Sequence, residues 1–268
     1  MKPFKIFSMV VLFAVAALVS TAFVSSRLLN KKVKNENKGF AVVELFTSEG
    51  CSSCPPADEL VAKVEKESTD KPVYILAFHV DYWNRLGWKD VFSDAAYSKR
   101  QQDYAAYLHL QSVYTPQIVV NGKTEFVGSE ENTLRNAIRN SLQKTPASQL
   151  SLNVSKETQN QVTLLYNTQG TDKNTVLLVA LVQKQAQTKV ERGENGGRTL
   201  AHVQIVRKLQ QVSLNGNSGQ TTVALPAGFN QQNWEVIGLL QNTANGNVTG
   251  AAKARFANDI IGVEKSSE

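Results

Sequence analysis

The chain has 268 residues, of which 42% are hydrophobic and 19% charged, a balance that is typical of a globular protein and excludes a largely disordered chain. The formal net charge is +6, and residues 1–38 carry all of it, because basic and acidic side chains balance over residues 39–268. The folded part therefore has no excess of positive charge to neutralise phosphates, and we expect no nucleic-acid partner.

An apolar stretch over residues 6–24 follows a short basic segment with Lys2 and Lys5. Its length lies between that of a secretory signal, whose apolar part has ~7 to 15 residues, and that of a membrane span of ~20. We predict that residues 1–26 form either a signal peptide or an N-terminal membrane anchor, and that residues 27–38 form a basic polar linker. The protein is then periplasmic, secreted or membrane-anchored facing outside the cytoplasm, with membrane contact only through this segment.

Residues 39–145 show the signals of an α/β domain in the order strand, helix, strand, helix, strand, strand, helix. The apolar runs 40–46 and 73–80 are typical of strands buried on both faces, and apolar side chains at helical spacing follow each of them. The dipeptide Asn121-Gly122 between two short strands predicts a hairpin. The expected architecture is a mixed sheet flanked by helices.

After Thr145-Pro-Ala-Ser148, which we interpret as a boundary, the pattern changes to short strands separated by Asn, Gly, Gln and Ser. We predict an all-β, sandwich-like domain over residues 148–262, although a flattened barrel would give the same signals. The candidate strands are 150–154, 162–166, 176–182, 203–209, 222–225, 236–240 and 248–256.

The only two cysteines of the chain, Cys51 and Cys54, form a CxxC motif between the first predicted strand and the first predicted helix. Unpaired N–H groups at a helix N-terminus stabilise a thiolate, and such motifs lower the pKa of the first thiol. Cys51 is therefore the candidate attacking thiolate. Cys54 is the candidate resolving cysteine, which attacks the mixed disulfide and releases the substrate.

Thr115-Pro116 precedes the third predicted strand, and we expect a cis bond there because proline is disfavoured inside a paired strand. Together with the element order and the CxxC motif, this dipeptide makes residues 40–144 resemble the thioredoxin fold. The resemblance implies that the Pro116 loop packs against the disulfide and presents its backbone to an extended substrate. The acid Glu44 lies seven residues before Cys51 instead of six, and Ser-Ser replaces Gly-Pro, so the reduction potential is not implied.

Beyond residue 38, the chain also resembles a secreted family catalogued as domain of unknown function 1223. The segments Glu44–Asp58, His79–Trp83 and Gly193–His202 carry this resemblance. It implies a thioredoxin-like domain followed by a β domain, and it implies no reaction.

Several further residues are candidates for the site. Glu44 is a candidate proton carrier for Cys54, or alternatively a strand glutamate in solvent or paired with a lysine. His79, Asp81 and Trp83 end the second strand, where α/β sheets often bind ligands, although packing explains His79 equally well and Trp83 better. Glu49 either tunes the thiolate or faces solvent, and we expect it to face solvent.

The segment Gly193–His202 has the composition of a long hairpin loop. We nevertheless expect Glu194, Asn195, Arg198 and His202 to approach the thiol pair, with the loop forming a wall of the CxxC cleft. Arg198 and His202 are the candidate substrate-binding residues of this segment.

The leading functional prediction is thiol-disulfide exchange outside the cytoplasm, with protein thiols or disulfides as substrates, a separate redox partner protein and no cofactor other than the disulfide. One alternative is a Cu(I) carrier that uses Cys51, Cys54 and possibly His79 as soft ligands. Another is a non-catalytic envelope binding module. A purely structural disulfide is a poorer explanation, because the small loop that it closes removes little unfolded-state entropy.

Overall fold

The computed structural model describes residues 39–255. The predicted signal peptide or anchor and the linker lie outside the described residues. Within 39–255, no helix has the length and apolar character that crossing a membrane requires.

The first half of the described chain alternates strands and helices, as predicted. Its elements are β1 (Ala41–Thr47), α1 (Pro55–Glu67), β2 (Val73–His79), a short 3-10 helix (Asn84–Leu86), α2 (Ala95–Tyr107), β3 (Gln117–Val120), β4 (Thr124–Val127) and α3 (Glu131–Leu142). The second half contributes strands only. They are β5 (Gln149–Glu157), β6 (Gln161–Gln169), β7 (Thr175–Lys189), β8 (Thr199–Ser213), β9 (Ser218–Ala224), β10 (Trp234–Asn242) and β11 (Val248–Lys253).

Local sequence explains where the main turns and helices begin. Cys54 is the N-cap of α1, and Pro55 follows in the first turn, where its missing N–H costs no hydrogen bond. The Asp94 side chain accepts a hydrogen bond from the Ala96 backbone N–H and so caps α2. Asn121 and Gly122 both have positive φ, as the tight turn between β3 and β4 requires.

Eight strands form one mixed sheet in the order β11-β10-β7-β8-β2-β1-β3-β4. Strands β1 and β2 are parallel, and β1 pairs antiparallel with β3. On the other side, β2 pairs with β8 in parallel, with Ala77 opposite Ile205. Strands of the second half therefore continue the sheet that the first half begins.

The two faces of this sheet are covered differently. One face packs against α2 through a cluster that includes Phe46, Phe78 and Tyr104. The opposite face packs against α1 and α3 beneath β1 and β3. Farther along the same sheet, strands β7 and β10 pack against a second sheet, ordered β5-β6-β9, through side chains such as Leu164 and Val179.

The predicted boundary at residues 145–148 therefore does not separate two cores. Seven strands follow it within the described residues, as expected, but residues 39–255 lie in one compact unit, and four of the seven strands belong to the large sheet. The reason is the insertion of β8 beside β2, which satisfies the hydrogen-bonding edge of β2. The sandwich-like part consists of the small sheet, β5-β6-β9, packed against strands β7 and β10 of the large sheet.

Candidate functional site

The two cysteines form a disulfide at the turn from β1 into α1. The Cα atoms of Cys51 and Cys54 are 5.4 Å apart, within the ordinary range for a disulfide. Both residues are fully buried in this oxidised form. The intervening Ser52 and Ser53 are exposed. The motif is thus a covered disulfide whose connecting residues reach the surface.

The Thr115-Pro116 loop lies directly against this disulfide. The peptide bond between Thr115 and Pro116 is cis, which confirms the expectation from sequence. The Thr115 hydroxyl donates a hydrogen bond to Cys51 Sγ at 3.3 Å and accepts one from Trp83 Nε1 at 2.8 Å. Ser53 Oγ donates to the Thr115 carbonyl oxygen at 3.5 Å. Trp83 therefore positions the hydroxyl that contacts the sulfur.

The turn between β7 and β8 contacts the CxxC motif from another side. Asn195 is buried, and its Nδ2 donates hydrogen bonds of 2.9 Å to the carbonyl oxygens of both Glu49 and Cys51. Glu194 accepts a hydrogen bond of 3.0 Å from the Ser52 backbone N–H. The Ser52 side chain and then this N–H lower the pKa of the Glu194 carboxyl. The exposed Arg198 donates to Asn195 Oδ1. The structure thus brings this turn to the thiol pair.

His202 lies on β8 and not in the turn. Its side chain is 1% exposed, and its ring nitrogens lie 3.6 Å from Glu49 Oε1 and 3.8 Å from Asp58 Oδ1. Burial acts to lower the pKa of His202, but the two carboxylates outweigh it and raise the pKa to about 9. The surroundings of His202 therefore favour its protonated form, and its predicted contact with a substrate stays a prediction.

His79 is also fully buried, and in this closed arrangement it cannot make the substrate contact that the sequence predicted. Its Nδ1 lies 2.7 Å from Asp90 Oδ2, and its ring lies 4.8 Å from the ring of His202. Burial acts to raise the pKa of Asp90, but His79 and backbone N–H donors from Glu49 and Phe92 lower it overall. The buried His79–Asp90 pair therefore lies next to His202 and its two carboxylates.

Asp81 does not join these residues. The Ser98 hydroxyl donates a hydrogen bond to the Asp81 carboxylate and accepts one from the Asp81 backbone N–H, which ties Asp81 to the first turn of α2. Asp81 therefore anchors the start of that helix, and its role as a substrate-binding residue stays a prediction.

Glu44 lies on the face of the sheet that α2 covers, whereas α1, which starts at Cys54, covers the other face. Arg100 Nε and Nη2 donate to the two carboxylate oxygens of Glu44 at 2.6 and 2.9 Å, and the Tyr104 hydroxyl donates to one of them. The predicted role as a proton carrier for Cys54 does not fit this position. Glu44 instead forms a buried ion pair beneath α2.

The alternative of a Cu(I) carrier that uses Cys51, Cys54 and possibly His79 stays a prediction. No group of three or more His, Cys, Asp or Glu side chains in 39–255 is arranged to hold a metal ion. Both sulfurs are also committed to the disulfide in this form.

The sequence assigned no site role to two acids, Asp58 and Asp90, and it favoured solvent for a third, Glu49. Glu49 was expected in solvent but is fully buried, with Trp88 Nε1 donating to its Oε2 at 2.7 Å. Asp58 accepts from the Thr47 hydroxyl at 3.0 Å, and Asp90 pairs with His79. An acid in the first turn of α1 is favourable for the helix by itself, so nothing in the sequence indicated that Asp58 also faces His202. Only their proximity to the CxxC and His79 motifs could have drawn attention to them.

The fold and the site define a class of mixed α/β protein with a CxxC disulfide where the first strand meets the first helix, covered by a turn from a later hairpin. The family model described as "Protein of unknown function (DUF1223)" matches residues 42–241, and the chain belongs to this family. The resemblance to this family, stated from sequence, is therefore confirmed.

Two solved structures are similar over most of the chain. A crystal structure of a protein from Agrobacterium tumefaciens has 27% identity and a TM-score of 0.61, covering 80% of this chain and 92% of that one. HBP35 of Porphyromonas gingivalis has 16% identity and a TM-score of 0.57, covering 81% of this chain and 74% of that one, a likeness of fold alone. No protein with a curated description matches the chain.

Proposed function

We propose that the protein catalyses thiol-disulfide exchange through Cys51 and Cys54. The observation that carries this proposal is the disulfide at the start of α1 with the Thr115 hydroxyl 3.3 Å from Cys51 Sγ. Helix N-terminal N–H groups and a hydroxyl donor both stabilise a thiolate. A bond that served only as a staple across three residues would need neither.

The first half of the described chain is thioredoxin-like in this proposal. Support comes from the element order, the position of the CxxC turn and the cis bond before Pro116. The backbone beside Pro116 then receives an extended substrate segment, while Thr115 and Trp83 line the approach to Cys51.

The chemical step conserves electrons between two disulfides. A substrate thiolate attacks Cys51 Sγ, the bond between the two cysteine sulfurs breaks, and its electron pair goes to Cys54 Sγ. A second substrate thiolate then attacks the mixed disulfide and releases Cys51, so one disulfide is reduced and one formed. The proton lost by each substrate thiol is balanced by one taken up by a cysteine of the pair. The reverse sequence oxidises the protein.

Substrates gain access only when the covering groups move, because Cys51 is fully buried in the oxidised form. The turn that carries Glu194, Asn195 and Arg198 holds the backbone of the motif and is the natural element to choose among substrates. Arg198 is exposed and remains the proposed substrate contact of this turn.

The proposed place of action is outside the cytoplasm, in the envelope or as a secreted protein. Disulfides persist there, and the apolar segment over residues 6–24 is compatible with export or anchoring. Its partners would be protein thiols or disulfides and a second redox protein that resets the pair.

The test is the equilibrium of the full chain with glutathione, read by alkylation of free thiols and mass spectrometry. A reduction potential between ~−120 and ~−270 mV, with exchange towards a peptide disulfide, supports the proposal. The variant C54S should accumulate a mixed disulfide with the peptide, whereas C51S should not. A potential below ~−300 mV with no exchange would overturn the proposal and mark a structural bond.

A further inference from the structure

The buried imidazole of His202 has no part in the exchange step described above. Within residues 39–255, neither of its ring nitrogens has a hydrogen-bond partner, yet both face carboxylates, at 3.6 Å in Glu49 and 3.8 Å in Asp58. A neutral imidazole here would leave its polar atoms unsatisfied and two buried acids uncompensated, which is costly. A cation between the two acids resolves both difficulties.

The two carboxylates belong to the segments that hold the cysteines. Glu49 lies two residues before Cys51, and the same Asn195 amide binds the carbonyl oxygens of both. Asp58 lies one helical turn after Cys54, and its backbone N–H donates to the Cys54 carbonyl oxygen at 3.1 Å. Hydrogen bonds to the backbone therefore connect the segments that carry the Glu49 and Asp58 carboxylates to the two cysteines.

Every element packed around His202 contributes to its electrostatic surroundings. Besides the two carboxylates, the ring of His79 from β2 lies 4.8 Å away and is bound in turn to Asp90. Phe92 lies 5.7 Å from the His202 ring and separates it from the guanidinium of Arg207. Three acids and two histidines thus share one buried region, and His202 is the base between two of the acids.

We propose that His202 is a positioning residue that sets the reduction potential of the Cys51–Cys54 pair by holding a positive charge between Glu49 and Asp58. The inference rests on the proposed exchange function. When the disulfide opens, negative charge appears on cysteine sulfurs that lie two residues from Glu49 and four from Asp58 in the chain, and the two carboxylates would oppose it. The His202 cation offsets this repulsion and so favours the reduced, thiolate form.

The protonation of His202 persists through neutral pH. Burial disfavours the imidazolium, but the two adjacent carboxylates hold the pKa of His202 at about 9. Its effect on the sulfurs is therefore present at neutral pH and disappears above about pH 9.

The test compares wild type with H202Q, using the glutathione equilibrium of the full chain from pH 6 to 10. Glutamine is polar and of similar size but carries no charge. We expect the equilibrium constant for reduction of H202Q to fall about tenfold at pH 7, which corresponds to about 30 mV. The difference should vanish above pH 9. The matched control is H109N, which changes an exposed histidine and should leave the equilibrium unchanged.

Charge compensation separates this role from simple packing. The double variant H202Q/E49Q removes one positive and one negative charge and should restore the wild-type equilibrium towards its original value. E49Q alone should shift it in the opposite direction to H202Q, which keeps the proposal testable if H202Q does not fold.

Equal equilibria for wild type and H202Q across the pH range, or no opposite shift in E49Q, would overturn the inference. If wild type itself exchanges no disulfide, the proposed function fails instead. Active wild type with an unshifted H202Q contradicts only the role of His202.

Discussion

The side-chain amide of Asn195 donates a 2.9 Å hydrogen bond to the main-chain oxygen of Cys51, 144 residues earlier in the chain. The same amide binds the carbonyl oxygen of Glu49, so one side chain satisfies two buried acceptors beside the disulfide. The turn between β7 and β8 is thereby fixed to the CxxC motif.

Replacement of Asn195 by alanine should leave both carbonyl oxygens without this donor. We expect a loss of about 1 to 3 kcal/mol in the free energy of unfolding, the cost of one unsatisfied buried acceptor, since the Cys51 carbonyl oxygen keeps the Cys54 backbone N–H as a donor. The disulfide should also be reduced faster by dithiothreitol, because the turn no longer holds the backbone over it. Urea unfolding and the rate of thiol release measure the two effects.

The comparison for N195A is R198A, which removes only an exposed donor to Asn195. R198A should keep nearly the wild-type stability and alter the rates with charged peptide substrates. Equal behaviour of the two variants would contradict the role assigned to the Asn195 amide.

The stability of the fold should depend on the ionisation of His202. Because its pKa is about 9 in the folded protein and ~6.5 in an unfolded chain, folding takes up a proton between these values. The contribution, about 3 kcal/mol, is fully present below pH 6.5 and is lost as pH rises through about 9. Denaturant titrations at pH 6 and 9.5 measure it.

H202Q should therefore be much less stable than wild type at pH 6 and closer to it at pH 9.5. A stability difference that stays constant over this range would show that His202 is neutral in the folded protein.

Thr115 should tune the reactivity of Cys51. The variant T115V retains the shape of the side chain but removes the hydroxyl that donates to Cys51 Sγ and accepts from Trp83. Because a hydrogen bond to a charged group contributes ~1.5 to 3 kcal/mol, the Cys51 thiolate should become less favourable. Alkylation of the reduced protein at pH 7 should slow about tenfold.

The matched control for T115V is T69V, which removes an exposed hydroxyl near the end of α1. Its alkylation rate should equal that of wild type. If T115V also reacts at the wild-type rate, the hydroxyl has no part in activating the sulfur.

The ion pair between Glu44 and Arg100 should affect stability and leave the redox chemistry unchanged. R100M leaves the Glu44 carboxylate buried with Tyr104 and no cation, and removing one partner of a buried pair costs ~3 to 5 kcal/mol. The glutathione equilibrium of the folded fraction should change less than twofold. A larger change with intact stability would restore the proton-carrier role predicted from sequence for Glu44.

The sequence was sufficient for features that depend on neighbouring residues. The CxxC motif identified the turn from β1 into α1, Asn121-Gly122 identified the hairpin, and Thr115-Pro116 identified the cis bond. In each case the backbone conformation follows from the residues at that position, so a short segment contains the needed information.

Features that depend on distant partners were not predictable in the same way. Glu44 stands in an apolar run that indicates burial, but its partner Arg100 lies 56 residues away. Glu49 sits between Ser48 and Gly50, a local context typical of solvent, and becomes buried only because Trp88 and His202 cover it. The pairing of β8 with β2 joins segments that are far apart in sequence, and no local pattern of residues indicates it.

The pairing of β2 with β8 has a consequence for how this protein can be divided. A chain that stopped at Thr145 would expose the β2 edge, in which five of seven residues are buried in the intact fold, and would lack Asn195 and His202. Open edges of this kind recruit other strands and lead to aggregation. The half of the chain with the CxxC motif is thus not expected to fold alone. A fragment made to study the disulfide would have to include the strands that follow it.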